Sequence, residues 1–187
     1  MNYDIPTSVE INGIECAIRW DFRCVLEIIE AMTDMELDEE SRALIVLDIF
    51  YPDLDSIPVC DYGEAIEKCL WFIRCGDDET ANKKAPKLMD WEQDFKHIVS
   101  PINRVLGREV RSPEPLHWWT FISAYYEIGD CYFAQIVRIR SLRAKGKKLD
   151  KQDMEFYREN KSTIDIKTKY TQAENELLKK WGGGVNG

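Results

Sequence analysis

Two histidines, six cysteines and a group of three carboxylates are the residues whose chemistry would support catalysis or metal binding. A histidine beside a cysteine or serine is the arrangement that activates a nucleophile in many hydrolases and transferases. The histidines are His97 and His117, and neither stands in a motif typical of such enzymes. His97 follows a helical pattern beside Ile98 and Val99. We therefore expect His97 to be a packed or partly exposed side chain.

The cysteines are scattered and contain no Cys-x-x-Cys pair, the spacing that zinc sites and thiol redox motifs use. They are Cys16, Cys24, Cys60, Cys69, Cys75 and Cys131. Cys69 lies beside Leu70, Phe72 and Ile73, where a thiol behaves as a small buried hydrophobe. The pattern predicts no metal site and no disulfide framework.

Three carboxylates, Asp90, Glu92 and Asp94, open a predicted helix. At this spacing they point to different faces, so they do not form a paired acid and base, and charge at a helix start explains them better. The terminal glycines follow no strand and open no helix, which excludes a phosphate-binding loop. The sequence therefore predicts a protein that is not an enzyme and binds no cofactor.

The densest apolar zone carries the adjacent pair Trp118 and Trp119, preceded by His117. Adjacent helical side chains diverge by about 100°, so both indoles cannot enter one core. One is expected to be buried, and the other faces either a second packing layer or a partner. His117 lies near a helix start, where it could bond to a backbone group or share a contact surface. We consider all three to be candidate partner-binding residues.

The next predicted helix has an apolar stripe that includes Phe133 and Ile136, with Arg138, Arg140 and Arg143 beside it. One interpretation is a ridge of solvated arginines. The other is a ridge that contacts an acidic patch on a neighbouring copy. The second interpretation predicts that reversing these three charges weakens self-association.

Periodicity predicts a mainly α fold: an N-terminal β-hairpin, about seven helices in one helical domain, and a C-terminal helical arm. Asn12-Gly13 suits the two-residue turn of the hairpin. Asp21 and Asp90 are expected helix N-caps, Asp61 with Glu64 resembles a capping box, and Pro101 should kink or split its helix. The predicted helices lie near 21–32, 38–50, 61–73, 90–106, 116–128, 131–144, 151–160 and 164–181.

Charge and composition divide the chain into a core domain (1–144), a projecting basic arm (145–181) and a disordered tail (182–187). Residues 1–137 hold 12 basic and 27 acidic residues, whereas residues 138–187 hold 13 and 7. This asymmetry favours solvated faces or head-to-tail contact between copies. The acidic body would repel nucleic acid. A polar stretch, 77–87, is expected to be an exposed mobile loop.

The sequence predicts a cytoplasmic protein. No apolar run approaches the roughly 20 residues that span a bilayer, so no membrane contact is expected. The first four residues, Met1 to Asp4, lack the basic start of a secretory signal.

Three stretches together resemble the bacteriophage gene-product-fifteen family. They are Asp90-Trp91-Glu92-Gln93-Asp94, then Leu116-His117-Trp118-Trp119 with Phe121, then Phe133 with Gln135-Ile136-Val137 and Ile139-Arg140. The front end is similar too, in Pro6 to Gly13, Asp21-Phe22-Arg23 and Leu70-Trp71-Phe72. The resemblance covers nearly the whole chain. The sequence departs from the family pattern at residues 100–107.

This resemblance implies a role in tail morphogenesis of siphophages and prophages. The implied function is a tail assembly chaperone that binds tape-measure protein before the tail tube polymerises, associates with itself and is absent from the mature virion. The alternative is a structural tail or connector component of the virion that contacts other tail proteins. A weaker hypothesis is a nucleic-acid-binding accessory protein that acts through residues 138–180. The resemblance supplies no binding residues.

Overall fold

A computed structural model describes residues 4–77, 86–167 and 171 of the chain. Its mainly α fold, a two-stranded hairpin followed by eight helices, confirms the expected fold class. The strands are β1 (Ser8–Ile11) and β2 (Ile14–Ala17). The helices are α1 (Phe22–Met32), α2 (Glu39–Phe50), α3 (Tyr62–Ile73), α4 (Trp91–Leu106), α5 (Trp118–Tyr126), α6 (Tyr132–Ala144), α7 (Lys151–Glu159) and α8 (Lys161–Ile164). Short 3-10 turns at Leu54–Ser56 and Val59–Asp61 join α2 to α3.

The hairpin turns at Asn12 and Gly13, which both have positive φ (47° and 77°), as a two-residue turn requires. Because a lone hairpin is marginally stable, β1 packs on α3 and buries Val9. The Glu64 carboxylate accepts a hydrogen bond from the Asn12 N–H at 3.0 Å. The expected capping box is therefore wrong: the Asp61 side chain makes no capping bond, and Glu64 holds the hairpin turn instead.

Most helix starts follow the expected capping chemistry. The Asp21 side chain accepts from the Arg23 N–H, and the Asp90 side chain accepts from the Gln93 N–H, both at 2.9 Å. Each bond satisfies a helical donor that has no partner within its own helix. Pro101 does not split its helix as the sequence suggested: α4 is continuous from Trp91 to Leu106, and Gly107, with a φ of 66°, caps its end.

The helices pack in a defined order around one core. Helix α2 packs on α1, α1 and α4 both pack on α5, α4 packs on α6, and α6 packs on α8. Phe22, Phe72 and Phe121 are among the side chains buried at the centre. Within the described residues, none of the helices is both long and apolar enough to cross a bilayer.

The C-terminal helices lie on the core as far as Lys167. Ile164 is 0% exposed and belongs to the main hydrophobic cluster. The Gln93 side chain donates to the carbonyls of Thr163 and Asp165 at 3.0 and 3.1 Å. Residues 145–167 therefore do not project as an arm, and the helix that holds Ile164 ends there instead of beginning there. The rest of the expected arm (168–170 and 172–181), the tail and most of the predicted loop (78–85) lie outside the described residues.

Candidate partner-binding surface

His117 is buried, and it acts as the N-cap of α5. Its Nδ1 accepts from the Trp119 N–H at 3.1 Å, and its Nε2 lies 2.9 Å from the Pro6 carbonyl oxygen. A carbonyl only accepts, so Nε2 carries the proton and Nδ1 is free to accept. The bond to a backbone group that the sequence suggested is present. Burial removes His117 from any exposed contact surface.

Trp118 is 2% exposed and Trp119 is half-buried, as expected for adjacent helical positions. Their indole N–H groups donate to the carbonyls of Ile73 and Phe72, both at 2.9 Å. These carbonyls belong to the last turn of α3, where helical acceptors lack partners of their own. The tryptophan pair thus closes the C-terminal end of α3, and Trp119 faces a second packing layer that includes Trp71.

Arg140 is 6% exposed and forms a buried ion pair with Asp94, which is fully buried. Its guanidinium donates to both Asp94 oxygens at 2.6 and 3.0 Å. The remaining donors reach the carbonyls of Leu88, Thr163 and Ile164. A buried charge needs such complete pairing. The expectation of an exposed ridge is therefore wrong for Arg140, which ties α4, α6 and α8 together.

Arg138 and Arg143 are more exposed, but they also bond within the chain. Arg138 donates to Asp153, and Arg143 donates to Asp165 and lies over the ring of Tyr157. The three arginines therefore do not form one free ridge. Reversing them together would break folding contacts, so it would not isolate a contact between copies.

An apolar groove lies beside Trp91, between α1 and the start of α4. Its volume is about 460 Å³, and Leu26, Ile29, Met89 and Phe95 line it with Trp91. Trp91 is half-buried and held by ring contacts to Trp118, Phe121 and Tyr125 at 5.5–5.9 Å. Because its wall is a packed aromatic cluster, the groove is a preformed surface.

A second hollow of about 690 Å³ adjoins the first and shares Ile29 and Trp91 with it. The end of α3 and the outer face of α5 line this part, with Trp118, Ile122 and the largely exposed Tyr126. We call the two hollows together the Trp91 groove. Of the residues predicted for partner binding, only Trp118 lies in its wall.

Acidic side chains border the Trp91 groove. Glu27 and Glu30 of α1 and Glu92 of α4 line it with exposed side chains. Of the basic residues in the lining, Lys87 is paired with Asp90 at 2.7 Å, and Arg74 lines the second hollow together with Asp77. Glu27 and Glu30 have no ion-pair partner among the described residues. An apolar floor with an acidic border favours an amphipathic helix that carries basic residues beside its apolar stripe.

The described residues contain no group of three or more His, Cys, Asp or Glu side chains that could hold a metal ion. Burial raises the pKa of Cys69 to about 12 and that of Cys75 to about 11, so both thiols stay protonated at neutral pH. Burial lowers the pKa of His97. The histidine rings contact Trp20, Phe72, Trp119 and Tyr132, and none of these ring contacts involves a cysteine.

Sequence reasoning missed the Asp94–Arg140 pair and the Trp91 groove. A signal for the pair exists: Asp94 is four residues before Ile98 and eight before Ile102, so it lies on the buried stripe of α4. Arg140 follows Phe133 and Ile136 in the same way on α6. Opposite charges at the core-facing positions of two helices predict a buried ion pair. No local pattern reveals the groove, because α1, α3, α4 and α5 all contribute to it.

Comparison with known protein families matches the chain to the family described as Bacteriophage Gp15 protein, over residues 1–166. The chain belongs to this family. Family membership indicates a phage structural or morphogenesis protein, which agrees with the resemblance in the sequence. No curated protein matches the chain, and no solved structure matches it. Residues that border the Trp91 groove fall within the part of the chain that the family covers.

Proposed function

We propose that this protein is a tail assembly chaperone that binds the tape-measure protein before the tail tube polymerises. The Trp91 groove carries this proposal. Its preformed apolar floor and acidic border suit an amphipathic helical segment with basic residues. The resemblance to the gene-product-fifteen family implies such a partner in the long, helical tape-measure protein. Such a chaperone acts by binding and release, without catalysis and without a cofactor, in the host cytoplasm.

Binding in a groove protects the partner because it covers apolar side chains that would otherwise aggregate. The acidic border increases the selectivity and the association rate of binding more than the affinity. Release then requires only competition for the same apolar stripe, which tail-tube subunits supply as they assemble.

Coexpression with tape-measure fragments tests the proposal. We expect the fragments to stay in the supernatant with the wild-type protein and to precipitate without it. Leu26→Glu places a charge in the groove and should abolish this protection, whereas Val105→Glu makes the same change on α4 outside the groove and should not. Fragments that precipitate equally with the wild-type protein would overturn the chaperone function.

A charge-matched pair of variants tests the border. Glu27→Lys with Glu30→Lys should weaken capture of a basic tape-measure fragment. Glu10→Lys with Glu67→Lys changes the net charge equally at exposed positions outside the groove, and it should leave capture unchanged. Equal effects of the two double variants would assign the result to net charge and remove the groove from the proposal.

Mass spectrometry of purified particles separates the chaperone from a structural virion component. We expect the protein in infected-cell lysates and its absence from mature particles. A stoichiometric amount in the particles would instead support a tail or connector subunit.

A further inference from the structure

Helix α2 is apolar on two sides. Val46, Leu47 and Phe50 enter the core, while Leu44 and Ile45 on the opposite side are 44% and 37% exposed. A helix that is apolar all round is normally covered on all sides. The outer face of α2 is therefore an uncovered apolar face on a protein whose other long helices each bury one stripe.

This face carries negative charge. At helical spacing, Glu40 and Asp48 flank Leu44 and Ile45, and both carboxylates are exposed. Neither has an ion-pair partner among the described residues. Arg42 donates to the carbonyls of Asp34 and Leu37. Arg19 donates to the backbone carbonyls of Asp48 and Ile49 and forms no ion pair with the Asp48 carboxylate among the described residues. We call Glu40, Leu44, Ile45 and Asp48 the α2 face.

A complementary surface lies at the turn between α6 and α7. Lys145, Lys147 and Lys148 are exposed there, and none forms an ion pair within the part of the chain that the structure describes. An open hollow of about 640 Å³ beside this turn has two apolar lining residues, Leu149 and Met154, which is 37% exposed. Charged side chains of both signs complete its lining: Asp150, Lys151, Glu155, Arg158 and Glu159. We call the three lysines with Leu149 and Met154 the basic turn.

The two surfaces belong to different parts of the helical core, because α2 packs on α1 and α3, whereas α6, which leads into the basic turn, packs on α4 and α8. One molecule thus presents both an acidic apolar face and a basic apolar turn. We propose that the α2 face of one copy binds the basic turn of a second copy. Such head-to-tail contacts use two different patches, so they build rings or open helical filaments instead of closed dimers.

This contact does not depend on the Trp91 groove. It would align copies side by side along a long partner and leave the groove of each copy open. Its strength should fall as salt rises, because screening weakens attraction between exposed charges.

Sedimentation velocity of the full chain at low and high salt tests the contact. The wild-type protein should form species larger than a dimer at low salt and dissociate at high salt. Variant A carries Glu40→Lys with Asp48→Lys, and variant B carries Lys147→Glu with Lys148→Glu. Each variant should weaken association by roughly tenfold or more, since each places like charges together.

Mixing the two variants is the decisive measurement. In a mixture, the intact basic turn of variant A meets the intact α2 face of variant B, and the two reversed surfaces are also complementary. Association should return in the mixture while each variant alone stays monomeric. Circular dichroism of each variant confirms folding. The proposal is overturned if the wild-type protein is monomeric at every salt concentration or if the mixture stays dissociated. Neither result decides whether the protein captures tape-measure fragments, which the coexpression experiment tests separately.

Discussion

Asp21 and His117 pair through an isolated antiparallel bridge, although 95 residues separate them in the chain. The Phe22 N–H donates to the Leu116 carbonyl at 3.0 Å, and the Trp118 N–H donates to the Trp20 carbonyl at 2.9 Å. Asp21 is the N-cap of α1 and His117 is the N-cap of α5. The starts of two core helices are thus fixed to each other by backbone and side-chain bonds together.

Replacing His117 tests this joint. His117→Ala removes the cap of α5 and the bond to the Pro6 carbonyl, so the free energy of unfolding should fall by about 1–3 kcal/mol. His117→Asn keeps a capping oxygen but loses the reach to Pro6, and it should lie between Ala and wild type. Urea titration followed by tryptophan fluorescence measures all three. An alanine variant as stable as the wild-type protein would contradict the capping role.

The buried pair of Arg140 and Asp94 predicts a larger effect. Arg140→Ala leaves the Asp94 carboxylate buried without its cation and should lower the free energy of unfolding by about 3–5 kcal/mol. Arg108→Ala removes an exposed ion pair with Glu114, and about 1 kcal/mol or less is expected. Thermal unfolding by calorimetry compares the two. Equal losses of unfolding free energy in the two variants would show that burial of an ion pair does not determine how much its removal destabilises the protein.

Gly76 lies close to the tryptophan pair, so a side chain added at this position should destabilise the protein. Its φ is +84°, and a Cβ added there would lie 3.2 Å from the Trp119 ring. Gly76→Ala should therefore destabilise the protein by roughly 1–2 kcal/mol. Gly63 lies within α3 with nothing within 4 Å of an added Cβ, so Gly63→Ala should instead stabilise by about 0.5–1 kcal/mol. Opposite shifts in the urea midpoint are the expected result.

His97 predicts a pH dependence of stability. Burial, then Lys96, lowers the pKa of His97 below its usual 6.5 in the folded state. The unfolded chain therefore binds more protons as the pH falls below about 6.5, and stability decreases until the pH passes the lower folded pKa. The Nε2 atom is buried with no hydrogen-bond partner in the part of the chain that the structure describes, so protonation gains no bond there. Unfolding of wild type and His97→Phe between pH 5 and 8 should show a smaller decrease in the variant.

The sequence predicted the local features of this fold well, because their signals lie within a few residues. Asn12-Gly13 predicted the hairpin turn, and Asp21 and Asp90 predicted helix starts. Long-range contacts were not predictable in the same way. Nothing near Glu64 shows that its carboxylate holds the Asn12 N–H, 52 residues away. The predicted split at Pro101 was wrong, because α4 accommodates the proline inside its buried stripe.

The candidate partner-binding surface was also predictable only in its local features. Adjacent helical geometry predicted that one tryptophan is buried, and Trp118 is that residue. The same geometry could not show that both indoles close the end of α3, since α3 lies more than 40 residues earlier. Arginine spacing suggested a surface ridge, but the partners Asp94, Asp153 and Asp165 come from three other segments.

The position of Ile164 has a consequence for synthesis of the chain. A ribosome releases residues in order, so α1 and α4 emerge long before the carbonyls of Thr163 and Ile164 that complete the Arg140 shell. Until then, the apolar site that Ile164 fills is open and the guanidinium lacks two acceptors. The nascent protein therefore passes through an incomplete stage that ends only when Ile164 arrives, and premature termination before that residue would leave a product prone to degradation.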